Sequence, residues 1–146
     1  MKRIFIFCAL LFCSDLLFSQ IVIEQQETSP LVKICHGLYY HRNSGRVTYS
    51  IIVNTTNQFD EPFAIALGET KQEAIVSLDN LLKLSSQEVG TNAQFDSHYG
   101  YKVEVNVFNV YGTKSCVFSS NNHAGIFSTK TKQLIKLKNK LISFEE

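Results

Sequence analysis

The most reactive side chains of this sequence lie close together between positions 33 and 50. The segment KICHGLYYHRNSGRVTYS places the thiol of Cys35 directly before the imidazole of His36. A thiol activated by an imidazole base is the nucleophile of many hydrolases. Adjacent residues of a strand point to opposite faces, however, so the base would have to be His98 or His123. We predict no catalytic residues, and a small hydrolase that uses Cys35 or a histidine is the alternative.

Other chemistries leave no recognisable pattern in the sequence. Asp96, His98 and His123 are its nearest approach to a metal or acid–base cluster, but their spacing matches no common ligand set. The sequence contains no G-x-S-x-G nucleophile elbow, no H-E-x-x-H zinc motif and no glycine loop for phosphate. We therefore predict neither a metal site nor a cofactor.

The beginning of the chain predicts a secretory signal peptide. Two basic residues precede the apolar run IFIFCALLFC, and the small residue Ser19 marks a candidate cleavage position. The run is too short for a stable membrane anchor, and Asp15 interrupts the apolar stretch that follows it. We expect residues 1–19 to be a signal peptide and residues 20–146 to form one small domain, secreted or periplasmic after cleavage near Ser19.

Removal of the signal peptide would leave a chain with no net charge. The whole chain contains 14 Lys and Arg against 13 Asp and Glu, and residues 1–19 hold two of these bases and one of these acids. Nucleic-acid-binding domains are usually basic, so this balance argues against a nucleic-acid partner. No later apolar run is long enough to cross a membrane, and we predict no transmembrane segment in the mature chain.

Two cysteines follow the signal peptide, Cys35 and Cys116. They have one possible intramolecular pairing, and in an oxidising compartment a disulfide closing so long a loop would stabilise the fold by roughly 4 kcal/mol. The alternative is a pair of buried, reduced thiols that behave as small apolar residues. Both interpretations fit the sequence.

Alternating apolar residues predict antiparallel strands. One row spans residues 31–41 and the next spans residues 47–53. The segment RNSG between them can adopt the positive φ angles of a tight turn, so the two rows predict a hairpin. Further strands are predicted at 63–67, at 101–107 before a turn at Gly112, and at 114–119.

Two segments have the periodicity of helices. In GETKQEAIVSLDNLLKLSS, Thr70 and Glu73 have the spacing of a capping box, and apolar residues then recur at helical intervals as far as Ser85. The polar stretch 86–98 is predicted to be a long loop. In the C-terminal segment STKTKQLIKLKNKLISFEE, the high helix propensity of Leu, Lys and Gln favours a helix over a strand.

The predicted order of elements is β-β-β-α-β-β-α. Such an order indicates an α+β fold, in which an antiparallel sheet of about five strands carries two helices on one face. Because no catalytic motif is present, the sequence favours a non-catalytic, inhibitor-like module that binds another exported or surface protein through a sheet face or the 86–98 loop.

Two groups of residues are candidate binding surfaces. Tyr99 and Tyr101 lie in the tyrosine-rich part of the predicted sheet, and tyrosine combines a large contact area with a polar end. Lys132, Lys136 and Lys140 recur along one side of the C-terminal helix and could bind an anionic surface. The alternative for the lysines is a solvated outer face.

Overall fold

The computed structural model describes residues 18–27, 35–43, 45–54, 63–96, 102–120 and 123–145. Within these ranges the chain forms eight strands and two helices. The elements are β1 (Phe18–Glu27), β2 (Cys35–Asn43), β3 (Arg46–Asn54), β4 (Phe63–Gly68), α1 (Lys71–Ser86), β5 (Asn92–Asp96), β6 (Lys102–Val110), β7 (Thr113–Ser120), β8 (His123–Lys130) and α2 (Thr131–Ser143).

The strands form two antiparallel sheets of four strands each. Sheet 1 has the order β1-β2-β3-β4 and sheet 2 has the order β5-β6-β7-β8, so each sheet is a simple meander followed by one helix. The α+β class predicted from the sequence is confirmed. The prediction of one sheet with about five strands is corrected, because the chain forms two sheets and the order ββββα occurs twice along it.

Three strands were missing from the sequence prediction. β1 begins at Phe18, inside the predicted signal peptide, where Phe18 pairs with Asn43 of β2. β5 occupies Asn92–Asp96, within the stretch predicted to be a loop, and β8 follows β7 directly. All three lie at a sheet edge, where a strand needs fewer apolar residues than one at the centre. Residues 1–17 lie outside the described part of the chain.

The helix α1 begins as its capping box predicts. The Thr70 hydroxyl accepts a hydrogen bond from the Glu73 amide at 3.2 Å, and the Glu73 carboxylate accepts one from the Thr70 amide at 3.1 Å. A further hydrogen bond from the Glu69 amide reaches the same carboxylate, and these backbone donors lower the pKa of Glu73. Backbone amides at the start of the helix, which have no partner within the helix, therefore donate to the side chains of Thr70 and Glu73.

The C-terminal segment is a helix, as predicted, and it lies antiparallel to α1. The Thr131 hydroxyl at its start donates to the Ser85 hydroxyl at 3.1 Å, and Lys138 Nζ lies 2.6 Å from Asp79 Oδ1 near the middle of both helices. At the other end, Lys71 Nζ donates to the Ile142 carbonyl oxygen at 2.9 Å. Polar contacts thus join the two helices along their length.

One hydrophobic core connects both sheets and both helices. The inner face of sheet 1 contributes Leu38, Ile51 and Ile65, which lie side by side across three strands. The predicted alternation of β6 is confirmed, since its apolar residues are buried and their neighbours are not. The remaining fully buried members of the core include Val103, Val105, Val107, Cys116, Phe118, Leu78, Leu81, Leu134, Leu137 and Leu141.

The outer faces of the two sheets differ. On sheet 1, Tyr39, Ile52 and Ala64 are buried, and so is Ser50, whose hydroxyl has no hydrogen-bond partner. On sheet 2 the outward residues of β5 and β6, among them Phe108, are exposed or only partly covered. In the described structure the outer face of sheet 2 is therefore exposed mainly along β5 and β6, whereas Ser115 of β7, opposite Phe108 on the same face, is buried.

Candidate interaction surface

The hairpin between β6 and β7 ends in a two-residue turn formed by Tyr111 and Gly112. Val110 pairs with Thr113 on either side of it, and φ is 49° at Tyr111 and 76° at Gly112. Two successive positive φ angles are the mark of a type I′ turn, whose twist matches that of the two strands. The sequence predicted a turn at Gly112, and the structure confirms it.

A second segment reaches the same end of sheet 2. The Gly90 amide donates to the Val107 carbonyl oxygen at 2.8 Å, and the Val107 amide donates to the Thr91 carbonyl oxygen at 2.9 Å. These bonds extend the pairing of β5 with β6 toward the hairpin. They place Val89 beside the last residues of β6.

Lys114 holds this segment from the other side. Its ammonium group donates to the carbonyl oxygens of Ser86 at 3.0 Å and Gln87 at 2.9 Å, the two residues that end α1 and begin the connection to β5. A cation at this position satisfies carbonyl groups that the helix itself leaves free. The connection is therefore tied both to β7 and to β6, which gives the hairpin end a defined shape.

Three large apolar side chains are exposed at this end of the molecule. Val89 is 50% exposed, Phe108 is 48% exposed and Tyr111 is fully exposed. We call these three residues the hairpin-end cluster. Phe108 belongs to the outer face of sheet 2, because its neighbour Val107 points into the core. The cluster therefore spans the tip of the hairpin and the adjoining sheet face.

The sequence prediction identified other residues as the contact surface. Tyr99 and Tyr101 lie outside the described residues. The proposed contact loop at 86–98 is corrected, because residues 92–96 form the strand β5 and residues 87–91 form the connection, while residues 97 and 98 lie outside the described part of the chain. Tyr111 was recognisable only as one of several tyrosines, although a tyrosine directly before the glycine of a tight turn is unusual, since asparagine or aspartate is preferred there.

The lysine row predicted on the C-terminal helix lies on α2, and its role as a binding surface stays a prediction. Lys132, Lys136 and Lys140 are all exposed. Glu24 of β1 lies against two of them: its carboxylate is 2.5 Å from Lys136 Nζ and 3.9 Å from Lys140 Nζ, and it is largely buried. Part of the positive charge of this row is thus balanced within the molecule, which weakens the attraction of the row for an external anion.

Cys116 is a free, buried thiol. It lies in the core below α1, where its sulfur is 3.9 Å from the Leu81 carbonyl oxygen. The structure thus gives no support to a disulfide with Cys35, and Cys116 matches the alternative of a reduced thiol acting as a small apolar residue. The backbone of Cys35 is in β2, opposite Asn54 of β3, and its side chain lies outside the described part of the chain.

The Cys116 thiol should make stability depend on alkaline pH. Burial raises its pKa from 9.0 to about 11, so between these values the unfolded chain releases a proton that the folded chain retains. The free energy of unfolding should therefore fall as the pH rises from 9.0 to about 11. Urea denaturation at pH 9.0 and at about pH 11 measures this loss. In Cys116→Ala the decline should be shallower, and an equal decline in both proteins would contradict the assignment.

Two further kinds of site were sought among the described residues, a metal-binding cluster and a membrane-spanning helix. No group of three or more His, Cys, Asp or Glu side chains within the described ranges could hold a metal ion. In that same part of the chain, neither helix has the length and apolar character needed to cross a membrane. Comparisons with protein-family models, curated proteins and solved structures found no match to this chain.

Proposed function

We propose that this chain is an exported, non-catalytic module that binds another protein through the hairpin-end cluster. The observation that carries the proposal is the concentration of exposed apolar side chains at one end of sheet 2. Of the seven large apolar residues exposed in the described structure, three belong to this cluster. Exposed apolar and aromatic residues that are gathered in one region of a protein are typical of protein-binding sites.

The positions of these side chains also support a binding role. Folding within the described structure buries little of Tyr111 and only about half of Phe108, so neither residue contributes much to the core. The segments that present them are held by backbone hydrogen bonds to Val107 and by Lys114. A surface that is already ordered loses little conformational entropy when a partner binds.

Export is supported by the character of residues 1–19. Cleavage near Ser19 would remove the first two residues of β1 and leave the paired stretch that begins at Gln20. A hydrolase that uses Cys35 or a histidine has no observation in its favour among the described residues. The raised pKa of Cys116 keeps that thiol protonated, and a protonated thiol is a poor nucleophile.

Site-specific photocrosslinking tests the proposal. A benzophenone amino acid is placed at position 108 of the chain, which is produced and exported by its own host, and the cells and medium are irradiated. We expect a crosslink to one protein, and the exported chain should begin near Gln20 by intact mass. The matched control is position 76, because Val76 and Phe108 are both 48% exposed but Val76 lies on α1.

Affinity measurements with the crosslinked protein complete the test. Phe108→Ala should weaken its binding by about tenfold or more, as truncation of an aromatic contact residue commonly does. Val76→Ala should leave the affinity unchanged. The proposal fails if position 108 gives no crosslink, if position 76 crosslinks to the same protein equally well, or if the two alanine variants bind alike.

A further inference from the structure

The turn residue Tyr111 has an unfavourable backbone conformation. Its φ of 49° lies in the left-handed region, and it is the only residue other than glycine with a positive φ in the described structure. Bulky L-residues rarely adopt this conformation, whereas asparagine, aspartate and glycine adopt it readily. The first position of a type I′ turn accordingly favours those three residues.

Packing within the chain does not explain why a tyrosine occupies this position. Tyr111 is fully exposed, and its neighbours Asn109, Gly112 and Thr113 are exposed as well. A side chain without covering neighbours gains little from folding that could offset an unfavourable φ. Residues in such sparsely populated conformations are found preferentially where a functional contact requires them.

The shape around Tyr111 indicates what kind of surface can receive it. The ring stands at the end of a two-residue turn, whereas Phe108 lies on the adjoining sheet face and Val89 precedes the residues that pair with Val107, and both are only half exposed. A flat surface would cover only one face of a ring that projects in this way. A pocket would cover both faces of the ring, and Phe108 and Val89 would then contact the rim of the pocket. The exposed residues next to the ring, Asn109 and Thr113, are uncharged. The exposed charged residues at this end are Glu88, which precedes Val89, and Lys114, whose ammonium group is bound to the Ser86 and Gln87 carbonyl oxygens.

From these observations we infer that the partner is a folded protein with a concave, uncharged pocket that receives the ring of Tyr111, in the manner of an inhibitor hairpin entering a cleft. The inference rests on the proposed function, because it concerns the same surface. It adds that Tyr111 is the anchor, that Phe108 and Val89 contact the rim, and that the tyrosine is present for binding rather than for folding.

The substitution Tyr111→Asn separates folding from binding. Asparagine suits the left-handed conformation, so this variant of the exported chain should melt about 2–5 °C higher than the wild type. Its affinity for the protein crosslinked at position 108 should fall by about tenfold or more. The matched control is Tyr111→Phe, which retains the ring and the unfavourable φ, and it should melt with the wild type and keep most of the affinity.

The location of the contact gives a second readout. With the benzophenone amino acid at position 111, the crosslinked residues of the partner should line a pocket or cleft in its structure. A crosslink to a flat or convex surface overturns the inference, as does an affinity that Tyr111→Asn leaves unchanged or a melting temperature that it lowers. If Phe108→Ala still weakens binding in those cases, the proposed function stands without the pocket, and if neither variant weakens binding, both proposals fail.

Discussion

Replacement of Phe118 with alanine should lower the free energy of unfolding by about 3–5 kcal/mol. Phe118 is fully buried in the shared core, and its ring stacks on that of Phe127 with their centroids 5.2 Å apart. The truncation removes apolar contact area and leaves a cavity between sheet 2 and the helices, which rigid strands cannot close. Urea denaturation of the wild type and of Phe118→Ala measures the difference.

Phe108→Ala is the matched control for this prediction. Both phenylalanines lie in the β6–β7 hairpin, but Phe108 is on the outer face of sheet 2 and is 48% exposed. Its truncation leaves no cavity, so the free energy of unfolding should change by less than about 1 kcal/mol. If the two substitutions destabilise the protein equally, the side chain of Phe108 is packed rather than exposed, and Phe108 does not belong to an exposed hairpin-end cluster.

Replacement of Gly68 with alanine should also destabilise the protein, though less than Phe118→Ala, through overcrowding rather than a cavity. Gly68 ends β4 just before α1, and a Cβ atom there would lie 2.5 Å from the Cβ atom of Glu73 and 3.1 Å from the amide nitrogen of Ala74. These atoms belong to the first turn of the helix and cannot rotate away. We expect a loss of about 1–3 kcal/mol, in addition to any strain at the backbone of Gly68 itself.

Gly90→Ala separates the effect of overcrowding from the effect of backbone strain. Gly90 also has a positive φ, of 99°, but nothing lies within 4 Å of the position that a Cβ atom would occupy. This variant therefore reports backbone strain alone, and denaturation in urea should show a smaller loss than for Gly68→Ala. An equal loss in the two variants would show that the approach of β4 to α1 is looser than the structure indicates.

The features that could be predicted from the sequence are those determined by neighbouring residues. The capping box joins Thr70 and Glu73 within one helical turn, and the alternation of β6 depends on residues two apart. The same holds for the C-terminal helix and the exposed side of its lysine row. In each case the spacing of the residues in the sequence equals the repeat of the helix or strand that they form. Contiguous residues are therefore sufficient to predict the element.

The number of strands could not be predicted in the same way. β5 is five residues long, and β8 follows β7 almost directly. An edge strand is stabilised by pairing with a strand elsewhere in the chain, and its own residues need not alternate strongly. For β1 the difficulty was different, because its first residues overlap a stretch whose apolar character predicted a signal peptide.

The candidate site depends on both kinds of information. The sequence by itself determined the α+β class, both helices, the central hairpins and the turn at Gly112, because these follow from the period and composition of contiguous residues. Only the tertiary structure decided that there are two sheets, that Glu24 lies against Lys136, and that Val89 is beside the end of β6. The physical reason is that pairing between distant segments and the burial of a side chain are properties of the assembled fold, in which each residue's surroundings come from other parts of the chain.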